Sequence, residues 1–326
     1  MLLMAPDPHS PDTSDASSRR HVTSSPVSRI NPSHGLGDLI AFVESSVGGS
    51  VINLPRRFSG GIASEVYAMT CLVDGRELRL AVRRYISDLP FEPGPPTIEG
   101  EAATLVQLEG LGVPAPRLLG CDPSGDVAGR PTLVMTRLRG RLALQPTDPT
   151  AWTEALAEML VAVHALPVEA PPYEPWPGIL EVPSWAHRPD LWRAALELLA
   201  SKPPTEPTGL VHGDYQQFNV LWRSGRISGV LDWTGSWVGP PDADTAHARL
   251  NLVCLYGVER AEGFRRAYES RAGRSTSAWR DVAEFVRYTP RFALTLRHQI
   301  ARRISLDTQG MTTRVEDLLR LSLDRA

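Results

Sequence analysis

The chain of 326 residues lacks several features that would assign it to a specialised class of protein. Its three cysteines, Cys71, Cys121 and Cys254, are scattered and form no Cys-x-x-Cys pair, which argues against a disulfide framework or a structural zinc site. Reduced cysteines of this kind are typical of a cytoplasmic protein. No apolar run has the length needed to cross a bilayer, and the opening Met-Leu-Leu-Met is too short for the apolar core of a signal peptide.

Basic residues are not in excess either. The net charge is −3, and no basic patch or basic-aromatic stripe is visible, so we expect no nucleic-acid partner. Lysine is nearly absent, because Lys202 is the only one in the chain and arginine supplies the other positive charges. With 42% hydrophobic residues the chain can bury a sizeable core in one large or two smaller domains. Composition therefore predicts an ordinary soluble protein.

The most informative stretch is His-Gly-Asp at residues 212–214, with Asn219 five positions after Asp214. Kinase catalytic loops have this spacing, in which the Asp orients and deprotonates the accepting hydroxyl and the Asn binds a metal ion. A hairpin predicted over residues 220–231 then brings Asp232 back beside the loop. His-Gly-Asp alone is a common turn. All three polar groups together favour a phosphoryl-transfer site, with Asp214 as the base and Asn219 and Asp232 as magnesium ligands.

The details of this stretch differ from protein kinases. Gly213 stands where protein kinases carry Arg, and Trp233 rather than Phe follows the metal-binding Asp. His-Gly-Asp-x4-Asn followed by Leu-Asp-Trp resembles the aminoglycoside phosphotransferase and choline kinase-like family of small-molecule kinases. The resemblance covers about residues 50–260. It implies an α+β, bilobal protein kinase-like fold, with a small antiparallel-sheet N-lobe and a mainly helical C-lobe.

This resemblance predicts three segments. Residues 1–33 are dominated by Ser, Pro, Asp and Arg, and we expect a disordered tail because they offer little apolar surface to bury. Residues 34–138 would form the N-lobe with a nucleotide-binding sheet. Residues 139–326 would form the helical C-lobe with the catalytic loop and the substrate site.

The strands of the predicted N-lobe contain candidate nucleotide-binding residues. Gly60 and Gly61, with Ser64, would cover the nucleotide, because glycines let backbone amides approach phosphate oxygens. Glycine pairs in hairpins more often only turn the chain. Arg83 ends a strand where kinases carry the lysine that contacts the phosphates. Arg84 should lie on the opposite face as a solvated charge, since side chains alternate along a strand.

A helix predicted over residues 97–108 follows that strand. In the family a helix glutamate pairs with the basic residue of the strand, which implies Glu101 as the partner of Arg83, with Glu99 as the competing candidate. Thr136, Arg137 and Leu138 correspond to the hinge between the lobes, where the adenine hydrogen-bonds to the backbone.

Two other polar residues favour structural roles. Asp244 precedes an apolar helix and is predicted to be its N-cap. Asp148 is predicted to be the N-cap of another helix, with Pro149 in its first turn. His164 lies among apolar residues at the end of that helix, and a hydrogen-bonded structural histidine is the favoured interpretation.

The function that the resemblance implies is transfer of the γ-phosphate of ATP or GTP, with Mg²⁺, to a hydroxyl of a small molecule. An aminoglycoside or a related antibiotic is the first candidate; macrolides, choline-type alcohols, homoserine and sugars are alternatives. A polycationic acceptor needs a carboxylate-lined cleft, whereas Trp237 suits a large apolar ring. The candidate carboxylates are Asp242, Glu259, Glu262 and Glu181.

Two rival functions belong to other classes. A catalytically silent nucleotide-binding module would lose a metal ligand, yet all three catalytic polar groups are present, and only Arg83 in place of lysine supports that rival. A protein kinase needs an Ala-Pro-Glu segment after the metal-binding Asp, but residues 237–241 lead directly into a helix. Both rivals rank below a small-molecule kinase.

Overall fold

The structure is a computed structural model that describes residues 35–58, 64–85, 98–172, 181–300 and 304–326. The predicted disordered tail and the predicted glycine turn at Gly60 and Gly61 lie outside these ranges. None of the helices within these ranges is both long enough and apolar enough to traverse a bilayer.

Six strands form one antiparallel sheet at the N-terminal end of the fold. They run in the order β1-β3-β4-β6-β5, and β2 pairs with β3. Their bounds are β1 Ser50–Val51, β2 Arg56–Arg57, β3 Ser64–Val73, β4 Arg76–Tyr85, β5 Leu118–Asp122 and β6 Thr132–Thr136.

The longest strands, β3 and β4, form a hairpin that places Arg83 in the sheet. Asp74 and Gly75 turn the chain with positive φ angles of 47° and 73°, a conformation that Asp-Gly accepts in two-residue hairpin loops. The register runs without a break from Val73 opposite Arg76 to Ser64 opposite Tyr85.

The prediction for Arg84 is wrong. Its side chain does lie on the face of β4 opposite to that of Arg83, but only 9% of the residue is exposed. The loop after β5 covers that face, because Asp122 accepts backbone hydrogen bonds from residues 125, 127 and 128 and folds the loop back. Arg84 Nη2 then donates to the carbonyl of Ala128 at 3.4 Å.

Nine α-helices occur within the described ranges. They are α1 Leu36–Val47, α2 Ile98–Leu108, α3 Pro149–His164, α4 Pro189–Leu199, α5 Asp242–Tyr256, α6 Val258–Ala272, α7 Ala278–Phe285, α8 Phe292–Ile300 and α9 Met311–Leu323. Asp148 caps α3 as predicted, because its Oδ1 accepts the N–H groups of Thr150 and Ala151 at 3.0 and 2.9 Å. Pro290 lies between α7 and α8, in keeping with the inability of proline to continue a helix.

Two short antiparallel pairs of strands flank the loop that contains Asp214. Strands β7 (Gly209–Val211) and β10 (Trp237–Gly239) pair with each other, as do β8 (Val220–Arg223) and β9 (Arg226–Val230). The buried apolar side chains form one cluster between α1 and the sheet and a larger one among the helices. The α+β fold is thus confirmed, while the lobe boundary at residue 138 stays a prediction.

Candidate active site

The ends of the short strands bring the catalytic-loop residues to one place. Strand β7 ends at Val211, directly before the His-Gly-Asp sequence, and β8 begins directly after Asn219. Strand β9 ends two residues before Asp232, whose φ of 65° lies in the left-handed region. Asp tolerates this conformation better than most residues, and such conformations concentrate at functional sites.

Asp214 is held by three side-chain donors. Gln216 Nε2 and His247 Nε2 donate to its Oδ1 at 2.6 and 3.0 Å, and Asn219 Nδ2 donates to its Oδ2 at 2.9 Å. Burial opposes ionisation, but the hydrogen bond and positive charge of His247 hold the pKa of Asp214 well below its usual range. Asp214 is therefore an ionised, fixed carboxylate at neutral pH.

Arg83 and Asp232 form an ion pair across the site. Arg83 Nη1 lies 2.6 Å from Asp232 Oδ1, and the Thr234 hydroxyl contacts both groups, at 2.5 Å from Arg83 Nη1 and 2.6 Å from Asp232 Oδ1. Burial alone would raise the pKa of Asp232, yet the Arg83 charge keeps it below its usual value. The basic strand and the predicted metal-binding carboxylate are thus directly linked.

Helix α2 supplies a second carboxylate to Arg83. Glu101 Oε2 lies 3.0 Å from Arg83 Nη1, and only 1% of Glu101 is exposed. Burial raises the pKa of Glu101, while the Arg83 charge counteracts that effect. The competing candidate, Glu99, is exposed to solvent. The structure therefore places Glu101 rather than Glu99 beside the basic strand.

His247 was missed by the sequence analysis. It lies on α5, 33 positions after Asp214, and its Nδ1 is 2.7 Å from Glu284 Oε1 on α7. Burial alone would lower the pKa of His247, but the hydrogen bonds to Asp214 and Glu284 raise it to about 9. A histidine inside an apolar helix carries no spacing signal that points to a partner 33 residues away, so pattern reasoning could not find it.

The predicted role of Asp244 as an N-cap is wrong. It lies inside the first turn of α5, and its carboxylate reaches back to the catalytic loop instead of its own helix. The backbone N–H groups of His212 and Gly213 donate to it at 2.6 and 2.9 Å. His164 Nε2 also lies 3.1 Å from it, which confirms that His164 is a hydrogen-bonded structural residue. Asp244 therefore anchors the loop that carries Asp214.

The loop also requires glycine at position 213. Gly213 has a φ of 83°, and a Cβ atom there would lie 1.9 Å from the carbonyl oxygen of Gly235. No side chain fits at such a distance, and the left-handed conformation already disfavours other residues. The Gly213 that distinguishes this sequence from protein kinases is thus imposed by the close approach of two backbone segments.

A cleft of about 1630 Å³ lies between the sheet and the catalytic loop. Its lining includes eight of the predicted site residues, namely Ser64, Arg83, Thr136, Arg137, Leu138, Asp214, Asn219 and Asp232. Glu101 lies behind Arg83 rather than in the lining. The roles assigned to these residues stay predictions.

The carboxylates proposed for a polycationic acceptor do not line this cleft. Asp242 is 3% exposed and pairs with Arg274, and Glu262 pairs with Arg265 at 2.9 Å. Glu181 and Glu259 are exposed elsewhere. The lining contains seven arginines and three aspartates instead: Arg56, Arg79, Arg83, Arg137, Arg139, Arg141, Arg223, Asp148, Asp214 and Asp232.

The donor set fits a magnesium-nucleotide. The Oδ1 of Asn219 and the Oδ2 of Asp232 receive no hydrogen bond from the described residues, and the buried Nε of Arg83 likewise has no partner among them. Within the same residues no group of three His, Cys, Asp or Glu could hold a metal ion. Magnesium commonly binds through one or two protein oxygens and completes its shell with phosphate oxygens and water.

The sequence model of the phosphotransferase enzyme family matches residues 56–285, more than two thirds of the chain. The chain belongs to this family. The matched range contains strands β2–β10, the catalytic loop and helices α2–α7.

Solved structures of other phosphotransferases share its fold. Aminoglycoside phosphotransferase APH(4)-Ia is 17% identical, with 88% of this chain and 99% of that chain covered and a TM-score of 0.55. Macrolide 2′-phosphotransferase MphH from Brachybacterium faecium is 16% identical, with 87% and 97% covered and a TM-score of 0.51. Likeness at such low identity shows the fold alone.

Curated relatives of the chain match over shorter stretches. Homoserine kinase of Methylocella silvestris is 29% identical over 212 residues, which is 57% of this chain and 64% of the relative. Acyl-CoA dehydrogenase family member 10 of Mus musculus is 24% identical over 196 residues, which is 53% of this chain and 18% of the relative. The chain thus matches under two thirds of the first relative and under a fifth of the second.

Proposed function

We propose that the protein transfers the γ-phosphate of ATP or GTP to a hydroxyl group of a small molecule. The observation that carries the proposal is the arrangement around Asp214. An ionised carboxylate is fixed in a cleft by three side-chain donors, and the oxygens of Asn219 and Asp232 line the same cleft. Phosphoryl transfer is catalysed mainly by positioning and charge stabilisation, which this arrangement supplies.

Each residue has a distinct part in the proposed reaction. Asp214 orients the accepting hydroxyl and takes its proton. Asn219 and Asp232 would hold magnesium, which when bound neutralises charge on the phosphate oxygens. Arg83 supplies a permanent positive charge for the phosphates, and Glu101 fixes its position through the 3.0 Å ion pair.

The adenine edge would meet the backbone at Leu138. The N–H groups of Thr136 and Arg137 are already donated to the carbonyls of Arg117 and Arg79, each at 2.9 Å. No backbone acceptor among the described residues engages the N–H of Leu138, and Leu138 lines the cleft. An unused backbone donor at this position supports the assignment of residues 136–138 to the nucleotide.

The charged residues that line the cleft affect which acceptor molecules can bind there. Seven arginines and three aspartates line it, so a polycationic aminoglycoside would meet repulsion rather than a carboxylate wall. We therefore propose a neutral or acidic acceptor in preference to an amino sugar. The match to a homoserine kinase, an enzyme named for an acceptor with a carboxylate, is compatible with this choice.

A coupled assay of nucleotide consumption tests the proposal. Aminoglycosides, macrolides, choline-type alcohols, homoserine and simple sugars are offered with magnesium ATP or GTP, and mass spectrometry detects the added phosphate. We expect transfer to a neutral or acidic hydroxyl compound. Transfer only to aminoglycosides would refute the charge argument. Tight magnesium-nucleotide binding without transfer to any class would favour a silent nucleotide-binding module.

A further inference from the structure

We propose that His247 and Glu284 form a charged clamp that positions Asp214 and leaves its Oδ2 as the oxygen that receives the acceptor proton. This inference rests on the proposed function, because it takes Asp214 as the base. His247 does not itself touch a substrate in this scheme. It is a positioning residue that acts through Asp214.

The imidazole ring of His247 lies between two carboxylates. Nε2 lies 3.0 Å from Asp214 Oδ1, and Nδ1 lies 2.7 Å from Glu284 Oε1. An ionised carboxylate accepts hydrogen bonds but donates none, so both ring nitrogens must carry a hydrogen for both bonds to form. The ring that satisfies both neighbours is the positively charged imidazolium. A neutral ring would direct a lone pair at one of the two carboxylates.

The surroundings of the ring keep it charged. Glu284 is 8% exposed, and its other oxygen, Oε2, pairs with Arg287 at 2.6 Å. From the same helix, the neutral Asn251 places its Nδ2 3.2 Å from Nε2 of His247 and donates to the backbone carbonyl of His247 at 3.1 Å. Because Nε2 carries a hydrogen in the imidazolium, this amide group makes no hydrogen bond to the ring. Among the residues that the structure describes, the charged groups in contact with the ring are Asp214 from the catalytic loop and Glu284 from α7, both negative. Burial alone would lower the pKa of His247, but its hydrogen bonds to Asp214 and Glu284 outweigh that effect and raise the pKa to about 9.

The two oxygens of Asp214 consequently differ. Oδ1 accepts from both Gln216 and His247, which uses both of its lone-pair directions. Oδ2 accepts only from Asn219 among the described residues, so one lone pair stays free. Oδ2 is therefore the oxygen of Asp214 with capacity left to take a proton.

Transfer of the γ-phosphoryl group to the acceptor hydroxyl requires no proton from His247 or Glu284. The acceptor oxygen forms a bond to the γ-phosphorus, and the bond from that phosphorus to the bridging oxygen breaks. The nucleoside diphosphate leaves with the electron pair, and the hydroxyl proton moves to Asp214 Oδ2. His247 keeps both of its hydrogens throughout.

The first test compares His247→Gln with His298→Gln, a matched change at an exposed histidine on α8. Phosphate release from magnesium ATP is measured for the full chain, with water and with the acceptor identified by screening. We expect kcat of His247→Gln to fall about 10- to 100-fold, the range for losing a charge-assisted hydrogen bond, with unchanged nucleotide KM. His298→Gln should match the parent protein.

The pH profile adds a readout that a merely structural role would not move. The pKa of His247 is raised in the folded protein, so the clamp is complete below the ordinary histidine value and is lost as pH rises through about 9. Activity of the parent protein should fall over that range, and the fall should be absent in His247→Gln. An equal kcat and an identical profile in the variant would overturn the clamp, even with a lower melting temperature.

A second measurement needs no acceptor. Nuclear magnetic resonance follows the ring protons of the eight histidines as pH is raised. One ring should titrate near 9, vanish in His247→Gln and titrate lower in Asp214→Asn. Titration of His247 at or below the ordinary value would refute the clamp. If Asp214→Asn keeps full transfer activity, the proposed function fails instead. If it abolishes transfer while His247→Gln behaves as the parent, only the clamp fails.

Discussion

Arg83 and Asp232 are 149 positions apart in the sequence, yet a guanidinium nitrogen of the first lies 2.6 Å from a carboxylate oxygen of the second. The pair joins strand β4 to the segment that follows β9. It also occupies one oxygen of the carboxylate proposed to bind magnesium, so a magnesium-nucleotide would share Asp232 with Arg83. Arg83 therefore joins the sheet directly to the segment that carries Asp232.

Replacing Arg83 with Ala should weaken magnesium-nucleotide binding by about tenfold to a hundredfold, because charge-assisted hydrogen bonds to the phosphates are lost. Titration calorimetry with magnesium ATP measures the affinity. Arg84→Ala is the matched control on the other face of β4. It should leave nucleotide affinity unchanged but lower the melting temperature, since Arg84 is buried against the loop that contains Ala128. Equal affinity losses in both variants would contradict the assignment.

Asp214→Asn should lower turnover by about 10²- to 10⁴-fold, because the amide cannot take the hydroxyl proton. Nucleotide affinity should change little, since Asp214 makes no proposed contact with the phosphates. Steady-state kinetics and nucleotide titration separate the two effects. Near-parental turnover on a confirmed acceptor would show that Asp214 is not the base.

Gly213→Ala should destabilise the protein more than Gly225→Ala does. Both glycines have left-handed φ angles, 83° and 75°, so both substitutions incur backbone strain of about 1–2 kcal/mol. Only at position 213 would the new Cβ meet the Gly235 carbonyl, and we expect overpacking to add about 1–3 kcal/mol. Urea unfolding of the two variants gives the difference, and similar midpoints would contradict the steric argument.

Asp244→Asn should cost about 3 kcal/mol, because a buried carboxylate that accepts two backbone N–H groups is replaced by an amide that cannot accept both. Burial opposes its ionisation, but the hydrogen bond from His164 lowers the pKa of Asp244 below its usual value. Its contribution is therefore complete above about pH 4 and is lost as pH falls through the lowered pKa. Urea unfolding between pH 3 and 7 should show a smaller acid loss in the variant than in the parent; equal losses would contradict this role.

The loop could be located from the spacing of Asp214, Asn219 and Asp232, whereas Arg83 and Glu101 were assigned through the resemblance to a family of kinases. Asp148 could be predicted as a cap because its partners, Thr150 and Ala151, lie only two and three positions further along the chain. His247 and the contact of Asp244 with the loop could not be predicted, because each depends on a pairing between elements about 30 residues apart. The burial of Arg84 depends on how a distant loop folds over β4, which strand alternation alone does not reveal.

The arginine at position 83 also determines which covalent reagents can label the cleft. Amine-reactive nucleotide analogues label kinases through the lysine that contacts the phosphates, and a guanidinium does not react in that way. Lys202 is exposed in the segment before β7, and it is absent from the residues that line the cleft. An amine-directed reagent would therefore modify a single lysine side chain, at Lys202, and none of the side chains that line the cleft.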